Sequence, residues 1–158
     1  MSIAEPVTTT CRPEKTEYHV SARTDASDAA VIDAAGSPIL FHPACDSVVE
    51  GLPCPAELLA GALAACLLKN LCRTRGLIGF EYDEAEVDVT VERQEDPPRF
   101  VSMAYTLRVT TDEPEARVGQ MHASIQEHGS VYNTLASVCH VQGSVEALPR
   151  CLSEAARS

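Results

Sequence analysis

Apolar and polar residues alternate one for one along two stretches of the chain. In residues 85–92, Ala85, Val87, Val89 and Val91 fall on one face, with Glu86, Asp88, Thr90 and Glu92 on the other. Val101, Met103, Tyr105, Leu107 and Val109 repeat the pattern. A period of two predicts a pair of strands, each with one wet face, and that one-sidedness points to antiparallel pairing. The link between them, RQEDPPR, is a hairpin loop, because Pro97 and Pro98 cannot sit inside a ladder.

The period then lengthens. Pro114 opens a helix in which Val118, Met121 and Ile125 keep helical spacing, and Gly129 ends it. A short helical turn at 131–137 leads to a closing strand at 140–148. Upstream, EYHVSA, AAVIDAAG and SPILFH predict two or three short antiparallel strands with a turn at Gly36 and Ser37, and residues 43–53 form a loop.

Residues 54–71, CPAELLAGALAACLLKNL, show neither period, with charge only at Glu57 and Lys69. Cys54 stands at the cap position and Pro55 at the first helical position, where its missing donor costs nothing; Glu57 lies near the positive end of the macrodipole. The helix is expected to run to about Arg75 and stop at Gly76. Being apolar on every side, it needs cover all round, and a single small sheet covers one face. Ala60, Gly61, Ala62, Ala64 and Ala65 let another helix approach closely, and a second copy of the chain is the natural source. A homodimer follows.

With 158 residues the chain has the length of a single domain, taken as 1–158 with a core at about 16–147 and frayed termini. Its net charge of -11 repels phosphate backbones and anionic lipid, so nucleic acid is not expected as a partner. The apolar run at 58–68 is shorter than the roughly 20 residues of a membrane span, so no membrane is expected either. The first residues lack a basic and an apolar region, which predicts a cytoplasmic protein. Seven cysteines without a C-x-x-C pair predict reduced thiols, no metal site and no cofactor.

The central run, the paired strands ending in PPRFVSMAYTLRV and the amphipathic helix leading to VYNTL together resemble the osmotically inducible protein C / organic hydroperoxide resistance (OsmC/Ohr) family over roughly residues 16–147. The resemblance implies an α+β fold, with antiparallel sheets packed around the long apolar helix, and an intertwined homodimer with sites at the subunit interface. It also implies a thiol peroxidase acting on organic hydroperoxides in oxidative stress defence. In that family Cys66 would attack the peroxide, the acidic residue behind Pro55 would be Glu57, and an arginine from the N-terminal strands would be Arg23. The sequence departs from the family at a second motif, Cys-Pro-Val, whose cysteine resolves the sulfenic acid as a disulfide. In HGSVYNTL, Gly129 stands at that cysteine's position. Ala56 also separates the acid from the proline.

By composition alone, a cysteine amid Ala and Leu is more often an inert core residue than a nucleophile. Only a thiolate attacks an O–O bond, and apolar surroundings disfavour the charged form, so catalysis demands a cation. The helix N-terminus, about 16 Å away, is too far to serve. Glu57 lies roughly 13 Å along the helix from Cys66 and about 180° around it, so the two share a site only if one comes from the other subunit. Lys69 reads as a side chain reaching to solvent, and His122 and His128 as solvated or hydrogen-bonded rather than ligating. Cys54 and Cys72 are excluded as disulfide partners of Cys66 by helical geometry, and Cys139 lies ten residues beyond Gly129. Two functions stay open: a one-cysteine peroxidase regenerated by an external thiol, or a non-catalytic dimeric module holding a small apolar or thiol-bearing ligand at the interface.

Overall fold

The computed structural model describes residues 17–25, 30–43 and 50–150, in two compact units, Met1–Leu52 and Pro53–Ser158. The ends for which fraying is expected, most of the loop into the central helix, and Cys11, Cys45 and Cys151 lie outside the described residues.

In the first unit, β1 (Val20–Thr24), β2 (Ala30–Ala34) and β3 (Ser37–Phe41) form an antiparallel sheet in that order. The turn sits one residue earlier than expected, at Ala35 and Gly36, since Ser37 already pairs with Ala34. Both turn residues have positive φ, 55° and 79°, the backbone that lets a two-residue hairpin follow the strand twist. The Gly36 N–H donates to Asp33 Oδ1 at 3.0 Å, which holds the turn.

The second unit runs α1 (Pro55–Ile78), β4 (Ala85–Gln94), β5 (Arg99–Thr110), α2 (Glu115–His128), α3 (Ser130–Ala136), β6 (His140–Leu148). Helix α1 begins where the sequence predicts, at Pro55. Gly76, however, does not stop it; an interior glycine costs only about 1 kcal/mol. The stop is Gly79, whose left-handed φ of 63° lets its N–H reach the Arg75 carbonyl at 3.1 Å and the Phe80 N–H the Thr74 carbonyl at 3.2 Å. Arg117 of α2 then satisfies the Ile78 carbonyl at 2.6 Å.

The second sheet has the order β4-β5-β6. Strands β4 and β5 pair antiparallel, and the alternation read from sequence places Met103, Tyr105, Leu107 and Val109 in the core. Val101 departs from it. The register steps from Glu92↔Ser102 to Arg93↔Phe100, leaving Val101 as the extra residue of a bulge, so Phe100 packs on the core in its place. Strand β6 also departs from expectation by joining β5 in parallel. Helices α2 and α3 are the crossover that returns the chain to the same end of the sheet.

One face of this sheet, α1 and α2 enclose the core, in which Leu63, Leu67, Leu71, Phe80, Leu107, Met121 and Ile125 are fully buried. Helix α1 has 24 residues and a mean hydropathy of 1.3 over its most apolar window, enough by length and composition to cross a membrane. Here it packs as a core helix against β4, α2 and α3. Its buried positions, Leu63, Cys66, Leu67, Asn70, Leu71 and Thr74, form a single stripe at helical spacing. The opposite stripe, Gly61, Ala65, Leu68 and Cys72, is exposed.

Candidate functional site

Cys66 lies on the inner stripe of α1, 8% exposed and with a free thiol. The junction of α2 and α3 comes to meet it. Gly129 ends α2 and caps α3, and a Cβ built on it would stand 3.4 Å from Cys66 Sγ, 2.9 Å from the Ile125 carbonyl oxygen and 3.1 Å from Tyr132 Cβ. The absence of a side chain at Gly129 is what lets the junction pack against the Ile125 carbonyl and Tyr132, with its bare side toward the sulfur.

On the other side of the thiol stands Asn70, one turn along and 5% exposed. Its Nδ2 donates to the Cys66 carbonyl at 2.8 Å and to Cys66 Sγ at 3.6 Å, and its Oδ1 accepts from Arg73 Nη1 at 3.4 Å. Both contacts fix the same orientation of the amide, since a donor must face the carbonyl and an acceptor the guanidinium. Sequence reasoning passed over Asn70. Its one mark in the sequence is that of a lone amide four residues after Cys66; that it shares the stripe of Leu63, Leu67 and Leu71 in the core is seen only in the structure.

Glu57 is exposed at the start of α1, where its Oε2 accepts the Cys54 N–H at 2.7 Å. That is the reciprocal half of a capping box. Within this unit it is not brought to Cys66. Arg23 is an exposed residue of β1, in the first unit, paired in register with Val31. Lys69 is exposed. Cys139, half-buried after α3, donates its S–H to the Leu135 carbonyl at 3.3 Å. Cys72 is exposed beside Tyr82, whose hydroxyl titrates above its usual range, chiefly through burial and then through Cys72. Among the described residues no group of three or more His, Cys, Asp or Glu is arranged to hold a metal ion.

A second polar cluster lies deeper in the unit. Tyr105, buried on β5, has its hydroxyl 2.7 Å from His122 Nε2 and accepts from Gln126 Nε2 at 2.9 Å. Burial pushes the phenol up to about 12 and the His122 imidazole below its ordinary value, so at neutral pH an un-ionised phenol shares a hydrogen bond with an uncharged ring. Tyr105 also meets Tyr132 of α3 edge-on at 6.4 Å, which links this cluster to the junction beside Cys66. The hydrogen-bonded role expected of His122 is thus met. His128, also expected to be solvated or hydrogen-bonded, is exposed with Nδ1 2.9 Å from the Ser124 carbonyl.

A family model described as OsmC-like protein matches residues 49–143. The fold is similar to an OsmC-like protein from Mycoplasma pneumoniae, at TM-score 0.74 and 15% identity, covering 87% of this chain and 100% of that one. It is also similar to an organic hydroperoxide resistance protein OsmC from Legionella pneumophila, at TM-score 0.68 and 16% identity over 84% and 99% of the two chains. The organic hydroperoxide resistance protein OhrB of Bacillus subtilis aligns at TM-score 0.60 and 20% identity, over 82% of this chain and 98% of its own. No curated protein matches the sequence.

Proposed function

The chain belongs to the OsmC-like protein family, and we propose that it is a one-cysteine, thiol-dependent peroxidase that reduces organic hydroperoxides through Cys66. The observation that carries this reading is the approach of Gly129 to Cys66 Sγ. The position that matches the family's resolving cysteine stands against the attacking sulfur, and it has no thiol. Neighbours of the same fold include proteins named for organic hydroperoxide resistance.

In this reading the Cys66 thiolate attacks the distal oxygen of ROOH, the O–O bond breaks, and the alkoxide takes a proton to leave as ROH. Sulfur is oxidised to sulfenic acid. One external thiol then displaces water to form a mixed disulfide, and a second releases Cys66 as the thiol together with the external disulfide. The working form is a homodimer, supported by the exposed Gly61, Ala65, Leu68 and Cys72 stripe of α1. The family resemblance would add to Cys66 the carboxylate of Glu57, from the partner's helix, and the guanidinium of Arg23.

Turnover of cumene hydroperoxide, assayed with several small-thiol reductants, tests the proposal. Activity that depends on added thiol and disappears in Cys66→Ser is the expected result. No turnover with any reductant, alongside saturable binding of a small apolar or thiol-bearing compound, would favour a non-catalytic ligand-holding module.

A further inference from the structure

We infer that Asn70 is a positioning residue for the Cys66 thiolate, relaying to it the charge of Arg73 along the inner side of α1. The inference deepens the peroxidase reading by naming a source for the cation that a thiol in apolar surroundings demands. Three side chains on successive turns are joined. Arg73 Nη1 donates to Asn70 Oδ1 at 3.4 Å, and Asn70 Nδ2 donates to Cys66 Sγ at 3.6 Å. A guanidinium on the carbonyl end of an amide polarises it, so the N–H at the other end becomes a stronger donor. A donor aimed at sulfur stabilises the anion more than the thiol, because charge-assisted hydrogen bonds are the stronger kind.

The fold gives Asn70 little other reason to be there. It sits among Leu63, Leu67 and Leu71, which are fully buried, where an amide costs free energy unless satisfied. Its bond to the Cys66 carbonyl supplements an acceptor that the helix already uses, a back-bond that contributes little to stability. The second N–H and the carbonyl are the groups that remain, and they face sulfur and guanidinium. Among the described residues of α1 and α2, the nearest other cations are turned elsewhere. Lys69 is exposed, and on α2 His122 is occupied by Tyr105 and Gln126 while His128 is exposed beside the Ser124 carbonyl. From α3, Tyr132 lies against the same junction.

The test reads the thiol directly and needs no peroxide. The rate of iodoacetamide alkylation at Cys66 is followed by peptide mapping across pH, for the full chain and its Asn70→Leu, Asn70→Asp, Arg73→Met and Arg73→Lys variants. The midpoint of the pH profile separates ionisation from access. Removing the donor in Asn70→Leu is expected to move that midpoint up by about one pH unit, roughly a tenfold loss of thiolate. Asn70→Asp, which turns a carboxylate toward the sulfur, is expected to move it further. Arg73→Met gives a smaller rise, which Arg73→Lys partly reverses.

If Asn70 merely holds the helix, its variants lower the melting temperature and leave the Cys66 midpoint where it was, which overturns the inference. If the Asn70 variants do not fold, Arg73→Met at its half-exposed site decides: an unchanged midpoint there overturns the relay. A shifted midpoint in a protein that never turns over peroxide upholds the relay and defeats the peroxidase reading alone.

Discussion

Gly129 packs its bare Cα side against Cys66, so close that a Cβ there would lie 3.4 Å from the sulfur. Placing a thiol at this position is therefore expected to rebuild a two-cysteine pair. In Gly129→Cys, one equivalent of hydroperoxide should yield a dominant disulfide between Cys66 and the introduced thiol by non-reducing peptide mass spectrometry. The new Cβ would also fall 2.9 Å from the Ile125 carbonyl, so the last turn of α2 must give. A stability cost of about 1–3 kcal/mol is expected before oxidation.

The unaltered chain should behave otherwise. Cys139 is separated from Gly129 by the whole of α3, and its S–H is tied to the Leu135 carbonyl. Mild hydroperoxide is expected to leave Cys66 as sulfenic acid or overoxidised, and brief exposure followed by dimedone should label Cys66 ahead of the other six cysteines. Labelling confined to the exposed Cys72, with Cys66 spared, would mark Cys66 as an inert core thiol. A dominant Cys66–Cys139 linkage would instead reveal a relocated resolving cysteine.

How much of this the sequence disclosed depends on the range of the interaction involved. The β4–β5 alternation, the Pro55 start of α1 and the Gly129 boundary are local effects, legible because neighbouring residues carry them. The Val101 bulge and the parallel placement of β6 depend on how strands meet, which period and propensity do not encode. Gly76 and Gly79 lie close together near the end of α1, and only the second has the left-handed backbone that ends it. At the site, Cys66 and Gly129 were visible as a pair through resemblance. Asn70 was not, because an all-round apolar run hides which of its sides faces the core.

Tyr105 and His122 should make stability depend on acid. Burial lowers the folded His122 value below 6.5, so the unfolded chain takes up this proton first as pH falls. Stability is then lost as pH drops from the unfolded value toward the folded one, and the contribution is fully present above it. Urea unfolding between about pH 7.5 and pH 5 should become less steep in pH for His122→Gln. An unchanged slope would mean that the ring is not held neutral by the fold. Tyr105 adds the opposite limb: its phenol, raised to about 12, favours the folded form until pH climbs through the unfolded value near 10. Tyr105→Phe removes the shared partner of His122 and Gln126 and should cost about 1–3 kcal/mol.

Gly143 explains why that tyrosine can lie where it does. A Cβ at Gly143 would fall inside the Tyr105 ring. Gly143→Ala is expected to expel the ring from its place against His122, with a loss of about 3 kcal/mol or more in thermal or urea unfolding. A neutral outcome would mean that β6 stands further from β5 than its register with Tyr105 indicates.

The exposed stripe of α1 bears on assembly. Gly61, Ala65, Leu68 and Cys72 recur at helical spacing, and three of the four are small enough for another helix to approach closely. A helix that is apolar all round but covered on one side is expected to find its other cover in a second copy, and in a two-fold pair each substitution counts twice. Sedimentation equilibrium of the full chain should therefore return a dimer down to the lowest concentration measurable. Ala65→Glu would place two unpaired carboxylates at the contact, where each buried charge costs about 3–5 kcal/mol. Dissociation should become at least a hundredfold easier, while Lys69→Glu, at the edge of the stripe, should change it far less. A folded monomer of the unaltered chain, or indifference to Ala65→Glu, would count decisively against the dimer. Without it, Glu57 has no route to Cys66, because the helix that carries both holds them on opposite sides and roughly 13 Å apart along its axis.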